Sequence, residues 1–177
     1  MDTKKMNIET ERLILRPVIE SDAEDIYEYA RNKNVGIHAG WEPHENIEAT
    51  REVMKEVFLG QESVFGMVLK ETGKLFGTIG LIPDPKRQND NTRMLGYAIG
   101  EDYWGKGFTT EAALALLRYG FEELGLDLIS AYCYPYNEGS KSVLKKCGFR
   151  YEGKLSQAEK RYDGKVFDNE CYAVVPE

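Results

Sequence analysis

Blocks of basic residues are missing from this chain. Its 177 residues carry 30 acidic against 23 basic side chains, a net charge of −7, with no Lys/Arg run beyond pairs such as Lys4-Lys5 and Lys145-Lys146. Holding a nucleic-acid backbone takes a basic face, so nucleic acid is not an expected partner. An acidic surface favours a cationic ligand such as an amine. Long apolar runs are missing too. The longest, Ala112 to Leu117, falls far short of the roughly 20 residues that cross a bilayer. Met1 to Met6 is charged, with no apolar segment behind it, so neither a membrane span nor a signal peptide is expected. Cysteine is scarce: Cys133, Cys147 and Cys171 lie in apolar contexts without C-x-x-C spacing. This excludes a disulfide framework and suits a reducing, cytoplasmic compartment, with all three as core thiols. Histidine is scarcer still. His38 and His44 flank Trp41, near Glu42 and Glu45, but no third ligand joins them at metal-site spacing, so no metal is expected. The segment reads as a loop with an aromatic anchor, or as part of an acceptor pocket.

Hydrophobic residues at 42% and charged residues at 30% suit an ordinary globular domain. No repeat, linker or low-complexity segment interrupts residues 1–177, so one domain is expected. Glu11 to Val18 alternates as a strand ending near Pro17. Ser21 with Glu24 reads as a capping box for a helix with Ala23, Ile26, Tyr27 and Ala30 at helical spacing. Asn32 to Gly40 reads as a loop. A second helix is expected over Ile47 to Leu59, with Ile47, Thr50, Met54, Val57 and Phe58 buried and Gly60 as its stop. Strands follow at Ser63–Lys70 and Lys74–Ile82 around a Glu71-Thr72-Gly73 hairpin, and a third at Thr92–Gly100. Then come a helix Thr109–Leu124, a strand Leu128–Tyr134 and a helix Asn137–Cys147 closed by Gly148. Two last strands, Phe149–Leu155 and Val166–Val174, are joined by a turn with Asp163-Gly164. The expected order is β, α, α, β, β, β, α, β, α, β, β, a mixed α/β (α+β) domain.

One stretch organises the rest. Tyr103-Trp104-Gly105-Lys106-Gly107-Phe108-Thr109-Thr110-Glu111-Ala112 joins the third of those middle strands to a helix. Such a turn aims free N–H groups and the positive end of a helix dipole at one point, where a phosphate binds. The two glycines could equally supply only the backbone freedom of a turn. The spacing is neither a Walker A loop nor the Rossmann fingerprint, which need further glycines or a Gly-Lys-Ser/Thr ending.

Four stretches together carry a resemblance. They are Thr10-Glu11-Arg12-Leu13-Ile14-Leu15-Arg16-Pro17, Leu95 to Ile99 with the glycine turn, Asn137-Glu138-Gly139-Ser140 through Lys146-Cys147-Gly148-Phe149, and the closing hairpin. The chain resembles the GNAT (Gcn5-related) N-acetyltransferases, and among them the ribosomal-protein N-terminal acetyltransferase-like subgroup. The resemblance implies a mostly antiparallel central sheet, splayed in the middle and flanked by helices. It implies acetyl-coenzyme A as donor and an amine acceptor, a protein N-terminus or a small molecule, with a homodimer common in the family. The pyrophosphate would lie on the backbone of Gly105, Lys106, Gly107, Phe108, Thr109 and Thr110. The pantetheine arm would pair with Tyr97, Ala98 and Ile99, with Asn137 on its other side. Thr109 could touch a phosphate or cap the helix.

The resemblance also implies direct attack of the amine on the thioester, which calls for a base and an acid. Where many members have a tyrosine acid, this chain has Leu144; Ser140 matches the subgroup's serine instead, to protonate or stabilise the thiolate. Where many have a glutamate base, it has Met94. Glu42, His38, His44 and Glu159 are pocket-side candidates, and Glu111 reads as a helix-terminus residue. A coenzyme A-binding module without turnover is the alternative reading.

Overall fold

A computed structural model describes residues 6–177. Its centre is an eight-stranded sheet in the order β1-β2-β3-β4-β5-β6-β8-β7. The strands are β1 (Ile8–Glu9), β2 (Leu13–Pro17), β3 (Val64–Leu69), β4 (Leu75–Pro83), β5 (Thr92–Ile99), β6 (Leu128–Cys133), β7 (Arg150–Lys160) and β8 (Val166–Val174). All neighbours run antiparallel except β5 and β6. The apolar run of β3 and that of β4 through Leu81, interrupted only by the buried Thr78, reflect burial on both faces, as expected of central strands. In β2 the alternation resolves as read: Leu13 and Leu15 are fully buried.

Helices α1 (Ala23–Ala30), α2 (Lys33–Ala39) and α3 (Ile47–Val53) cover one face, where Ile26, Tyr29, Val35 and Met54 pack with Val68, Leu75 and Ala98. Helices α4 (Phe108–Arg118) and α5 (Glu138–Lys146) cover the other. There α4 presents Phe108, Ala112, Ala113, Leu116 and Leu117 as one stripe, the apolar face of a helix lying on a core. The three cysteines are free and buried.

The parallel pairing of β5 with β6 extends only from Thr92↔Leu128 to Met94↔Ser130. Beyond it β5 stays with β4 to Ile99, and β6 stays with β8 to Cys133. The sheet therefore splays at its middle. Gly100 donates its N–H to the Phe76 carbonyl of β4. Strand alternation then turns the backbone groups of Ile99 and Tyr97 toward the gap.

Four local expectations are corrected. Ser21 is not the cap of α1. Asp22 holds the N-cap position, and its carboxylate turns back from the helix to take the Ile19 N–H at 2.9 Å and a two-pronged pair from Arg16 at 2.7 and 2.8 Å. Residues 32–40 are not a loop: Asn32 caps α2 by accepting the Asn34 N–H at 2.8 Å, and the helix ends at Gly40. Val57 is exposed, because α3 continues as a wide π-type turn over Met54–Phe58 that rotates it outward. Strand β7 does not stop at Leu155. It runs to Lys160 past a bulge, with residues 156–158 facing Asp168 alone. Gln157 sits there at φ 46, its N–H held by the Asp168 carboxylate at 2.8 Å.

Candidate functional site

The turn between β5 and α4 leaves a run of backbone N–H groups without partners among the described residues. Gly105 and Gly107 have φ of 71 and 79, the left-handed region that side chains resist. None of the backbone N–H groups from 105 through 110 donates to an acceptor among the described residues. A Cβ on Gly105 would meet no atom within 4 Å, so the open side of the turn is clear for close approach. Gly107 is the N-cap of α4. Thr109 therefore sits inside the helix; it is buried and lines the cavity described next. Phe108 turns its ring into the core against Phe76 and Tyr103, so only its N–H faces the turn's open side.

The turn is held from below by Arg12. Its Nη1 donates to the Lys106 carbonyl at 3.0 Å, its guanidinium lies 4.3 Å over the Phe108 ring, and its Nε pairs with Glu111 at 2.7 Å. Glu111 also accepts the Thr10 hydroxyl at 2.6 Å and the Arg12 N–H at 2.8 Å. Burial works to raise the Glu111 carboxyl, but these hydrogen bonds and the Arg12 charge outweigh it and hold the pKa below the ordinary value. Glu111 is thus a strut and not a base. Its partners explain the Thr10-to-Pro17 stretch, whose reading as a strand had left Arg12 without a role.

A cavity of about 230 Å³ runs from Trp104, Gly105 and Thr109 along Tyr97, Ala98 and Ile99 to Asn137, Gly139 and Ser140. It lies where β5 and β6 have parted. Trp104 closes its outer end and donates its indole N–H to the Ile99 carbonyl at 3.1 Å. On the free edge of β5 this leaves the Ile99 N–H and both Tyr97 backbone groups. Asn137 is the N-cap of α5: its Oδ1 accepts the Ser140 N–H at 3.1 Å, and its Nδ2 reaches the His38 carbonyl at 3.4 Å. Both polar atoms of the Asn137 side chain are thus engaged within the chain.

A second cavity of about 540 Å³ lies on the far side of the same wall. Val57, Phe58, Val64, Ile82 and Met94 give it an apolar body; Tyr132, Lys86, Asn169 and Glu159 give it polar groups. The bulge in β7 delivers Glu159, whose oxygens accept the Tyr134 hydroxyl at 2.6 Å and the Asn169 amide at 3.0 Å. Burial first, then this bond to Glu159, pushes the Tyr134 phenol up, so it stays a donor. Met94, at the family's glutamate position, contributes only an apolar surface.

The two cavities share His38, Ala39, Tyr97, Ala98, Asn137 and Ser140. Here the Ser140 hydroxyl meets the Tyr97 hydroxyl at 2.7 Å. Burial pushes the Tyr97 phenol well up, and the bond to Ser140 only partly offsets it. Tyr97 therefore stays protonated and can donate to Ser140 Oγ, leaving the serine proton free for a third partner. Leu144 is fully buried in the core and offers no position for an acid. Glu42 and His44 lie outside both cavities; His44 is engaged with the Thr50 hydroxyl at 2.8 Å. Tyr134 and Asn169, which orient Glu159, carried no readable signal, because long-range strand pairing alone brings them together.

An acetyltransferase (GNAT) domain model matches residues 12–150. Over 172 residues the chain is 35% identical to the uncharacterized N-acetyltransferase YoaA of Bacillus subtilis (strain 168), covering 95% of this chain and 96% of that protein. A solved GNAT-family acetyltransferase from Bacillus anthracis superposes with a TM-score of 0.85 at 30% identity, covering 96% and 98% of the two chains. The [ribosomal protein uS5]-alanine N-acetyltransferase of Escherichia coli (strain K12) is 26% identical over 84% of this chain and 80% of its own length. The chain belongs to the GNAT acetyltransferase family. It is an enzyme of the acyltransferase class, an N-acetyltransferase.

Proposed function

We propose that the chain takes acetyl-coenzyme A as its donor and moves the acetyl group directly to a primary amine. The acceptor is a protein N-terminal α-amine or the amine of a small molecule with an apolar body. The observation that carries this reading is the meeting of the two cavities at one wall, with the phosphate-type turn at the outer end of the smaller. Acetyl-coenzyme A supplies, when bound, an acyl group on a thioester and a thiol leaving group.

The chain's own residues divide the remaining work. The N–H groups of residues 105–110 hold the anionic end, in a turn fixed by Arg12. The free edge of β5 at Tyr97 and Ile99 aligns the arm as an added strand would. Ser140, backed by Tyr97, donates its proton toward the leaving sulfur. Glu159 attracts the ammonium form of the acceptor, in keeping with the chain's excess of acid. The apolar walls exclude water from the reacting atoms.

The test is thiol release from acetyl-coenzyme A with three amines: an alanine-headed hexapeptide, spermidine and phenethylamine. Turnover of at least one, with the acetylated amine identified by mass, is expected. Cofactor binding with no thiol release from any of the three would overturn the reading.

A further inference from the structure

The wall between the cavities holds one basic nitrogen with no internal partner. His38 stands on α2, the helix that the sequence pattern hid, and lines both cavities beside Ser140, Tyr97 and Asn137. Its Nδ1 lies 2.8 Å from the Asn34 carbonyl oxygen. A carbonyl oxygen only accepts, so Nδ1 carries the proton and Nε2 carries the lone pair. Nε2 makes no hydrogen bond among the described residues. Trp104 and Tyr136 pack edge-on against the ring, at 5.3 and 5.8 Å between centroids, and fix its plane.

The mounting is itself braced. Glu101, in the short 3-10 turn after β5, accepts the side-chain amides of Asn32 and Asn34, each at 2.8 Å. Tyr136 donates its hydroxyl to the Ile37 carbonyl at 2.6 Å and accepts from Arg161 at 2.9 Å. Helix α2 is thus tied at both ends to the elements that carry the donor turn and α5. The charged and titratable groups around His38 are Glu101 on the α4 side, Tyr136 with the Arg161–Asp163 pair on the hairpin side, Ser140 and Tyr97 across the wall, and Glu159 across the larger cavity. By contrast, both Glu159 oxygens already accept hydrogen bonds, and Met94 has no basic atom.

We propose that His38 Nε2 is the base of the acetyl transfer, resting on the acetyl-transfer reading above. One proton passes from the acceptor ammonium to Nε2 and on to water. The freed nitrogen forms the new C–N bond, and the C–S bond breaks with its electron pair going to sulfur. Ser140 gives its proton to the leaving sulfur and regains one from the nitrogen's second surplus proton, so the serine hydroxyl is restored. The net reaction releases one proton. An imidazole suits this task because its class titrates between pH 5 and 8, near the working pH.

Two measurements test it. Nitrogen NMR of the ¹⁵N-histidine-labelled native chain, with His44→Gln for assignment, is expected to show His38 as the Nδ1–H tautomer. An Nε2–H tautomer overturns the proposal without reference to turnover. The second is kcat/KM against pH with the best amine of the three, on the native chain, His38→Gln and Glu159→Gln. His38→Phe, which keeps the aromatic packing, replaces His38→Gln if that variant does not fold. The His38 variant is expected to lose about 10²-fold at pH 7, to lose the imidazole break in the profile, and to keep its thermal shift with acetyl-coenzyme A. Glu159→Gln is expected to raise KM and keep the break. A His38 variant within twofold of native with the break intact, or a break lost in Glu159→Gln alone, refutes the role. Absence of turnover in the native chain is instead the failure of the acetyl-transfer reading.

Discussion

Replacing Gly105 by alanine separates the two things this turn does. Gly105 has φ 71 and Gly60, just past the π-type turn that extends α3, has φ 74; a Cβ at either meets no atom within 4 Å. The backbone cost of the methyl is therefore matched, at about 1–2 kcal/mol for the left-handed conformation, less about 0.4–1 kcal/mol regained from the stiffer unfolded chain. A net loss near 1 kcal/mol lowers the Tm of a chain this size by roughly 2–4 °C. Both variants are expected to show it.

The two differ in surroundings. Gly105 lines the cavity that runs along the parted strands, and Gly60 lines neither cavity. At a ligand concentration of about 100 Kd, acetyl-coenzyme A adds about 2.7 kcal/mol, a rise of roughly 5–10 °C. The same should hold for Gly60→Ala. If the Gly105 methyl keeps the pyrophosphate from the N–H groups and weakens binding about 100-fold, the same concentration adds only about 0.4 kcal/mol. The assay is thermal unfolding of the three proteins with and without ligand. Equal ligand-induced rises in the two variants would refute the phosphate reading of the turn, even though both had lost the same intrinsic stability.

Other outcomes follow from the contacts around the site. Ser140→Ala is expected to lower kcat about 10- to 100-fold with cofactor affinity unchanged, and to cost about 1–3 kcal/mol because the buried Tyr97 hydroxyl loses its partner; pairing it with Tyr97→Phe should recover part of that stability, read from urea midpoints. Leu144→Tyr, which restores the family's tyrosine, is expected to give no gain in turnover and to destabilise by about 1–3 kcal/mol, because position 144 is fully buried in the core. Glu111→Gln should destabilise at pH 7 but not in acid. The Glu111 carboxyl is held below its ordinary 4.5 in the fold, so its contribution is present above that value and is lost as pH falls through the folded pKa. Native and variant urea midpoints should therefore converge as pH falls below 4.5 and through the lowered folded value; a constant gap would mean that the strut acts through packing and not charge.

What could be read in advance and what could not divide along a physical line. The glycine turn and the smaller cavity, proposed above as the donor side, rest on local chemistry. Gly105 and Gly107 are needed for their backbone angles, the apolar stripe of α4 has helical spacing, and Asn137 is a good cap; each acts within a few residues of itself. The acceptor side rests on contacts between residues far apart in the chain. Glu159 reaches the larger cavity only because β7 bulges against β8 at Gln157, in a polar stretch with no alternation to reveal a strand. Helix α2 was hidden because Asn32, Asn34, Gly36 and Gly40 carry the composition of a loop. What holds it is Glu101, on the far side of the cleft, gripping both asparagine amides.

That division has a functional sense. A donor site must present the same N–H groups to the same phosphates in every member of a family, so backbone geometry and small residues specify it. An acceptor site must vary with the amine, and on the reading proposed here it is assembled from α2, held by the side chains of Glu101 and Tyr136, and from the bulged edge strand β7 and its hairpin, which pair with the sheet only on the β8 side. Substitutions at Glu101 or Asn34 should therefore leave acetyl-coenzyme A binding intact while altering the amine preference. Loss of binding in Asn34→Ala, followed by thermal shift, would show that the α2 residues lining the smaller cavity, Val35, His38 and Ala39, need the Glu101 clamp to hold the donor.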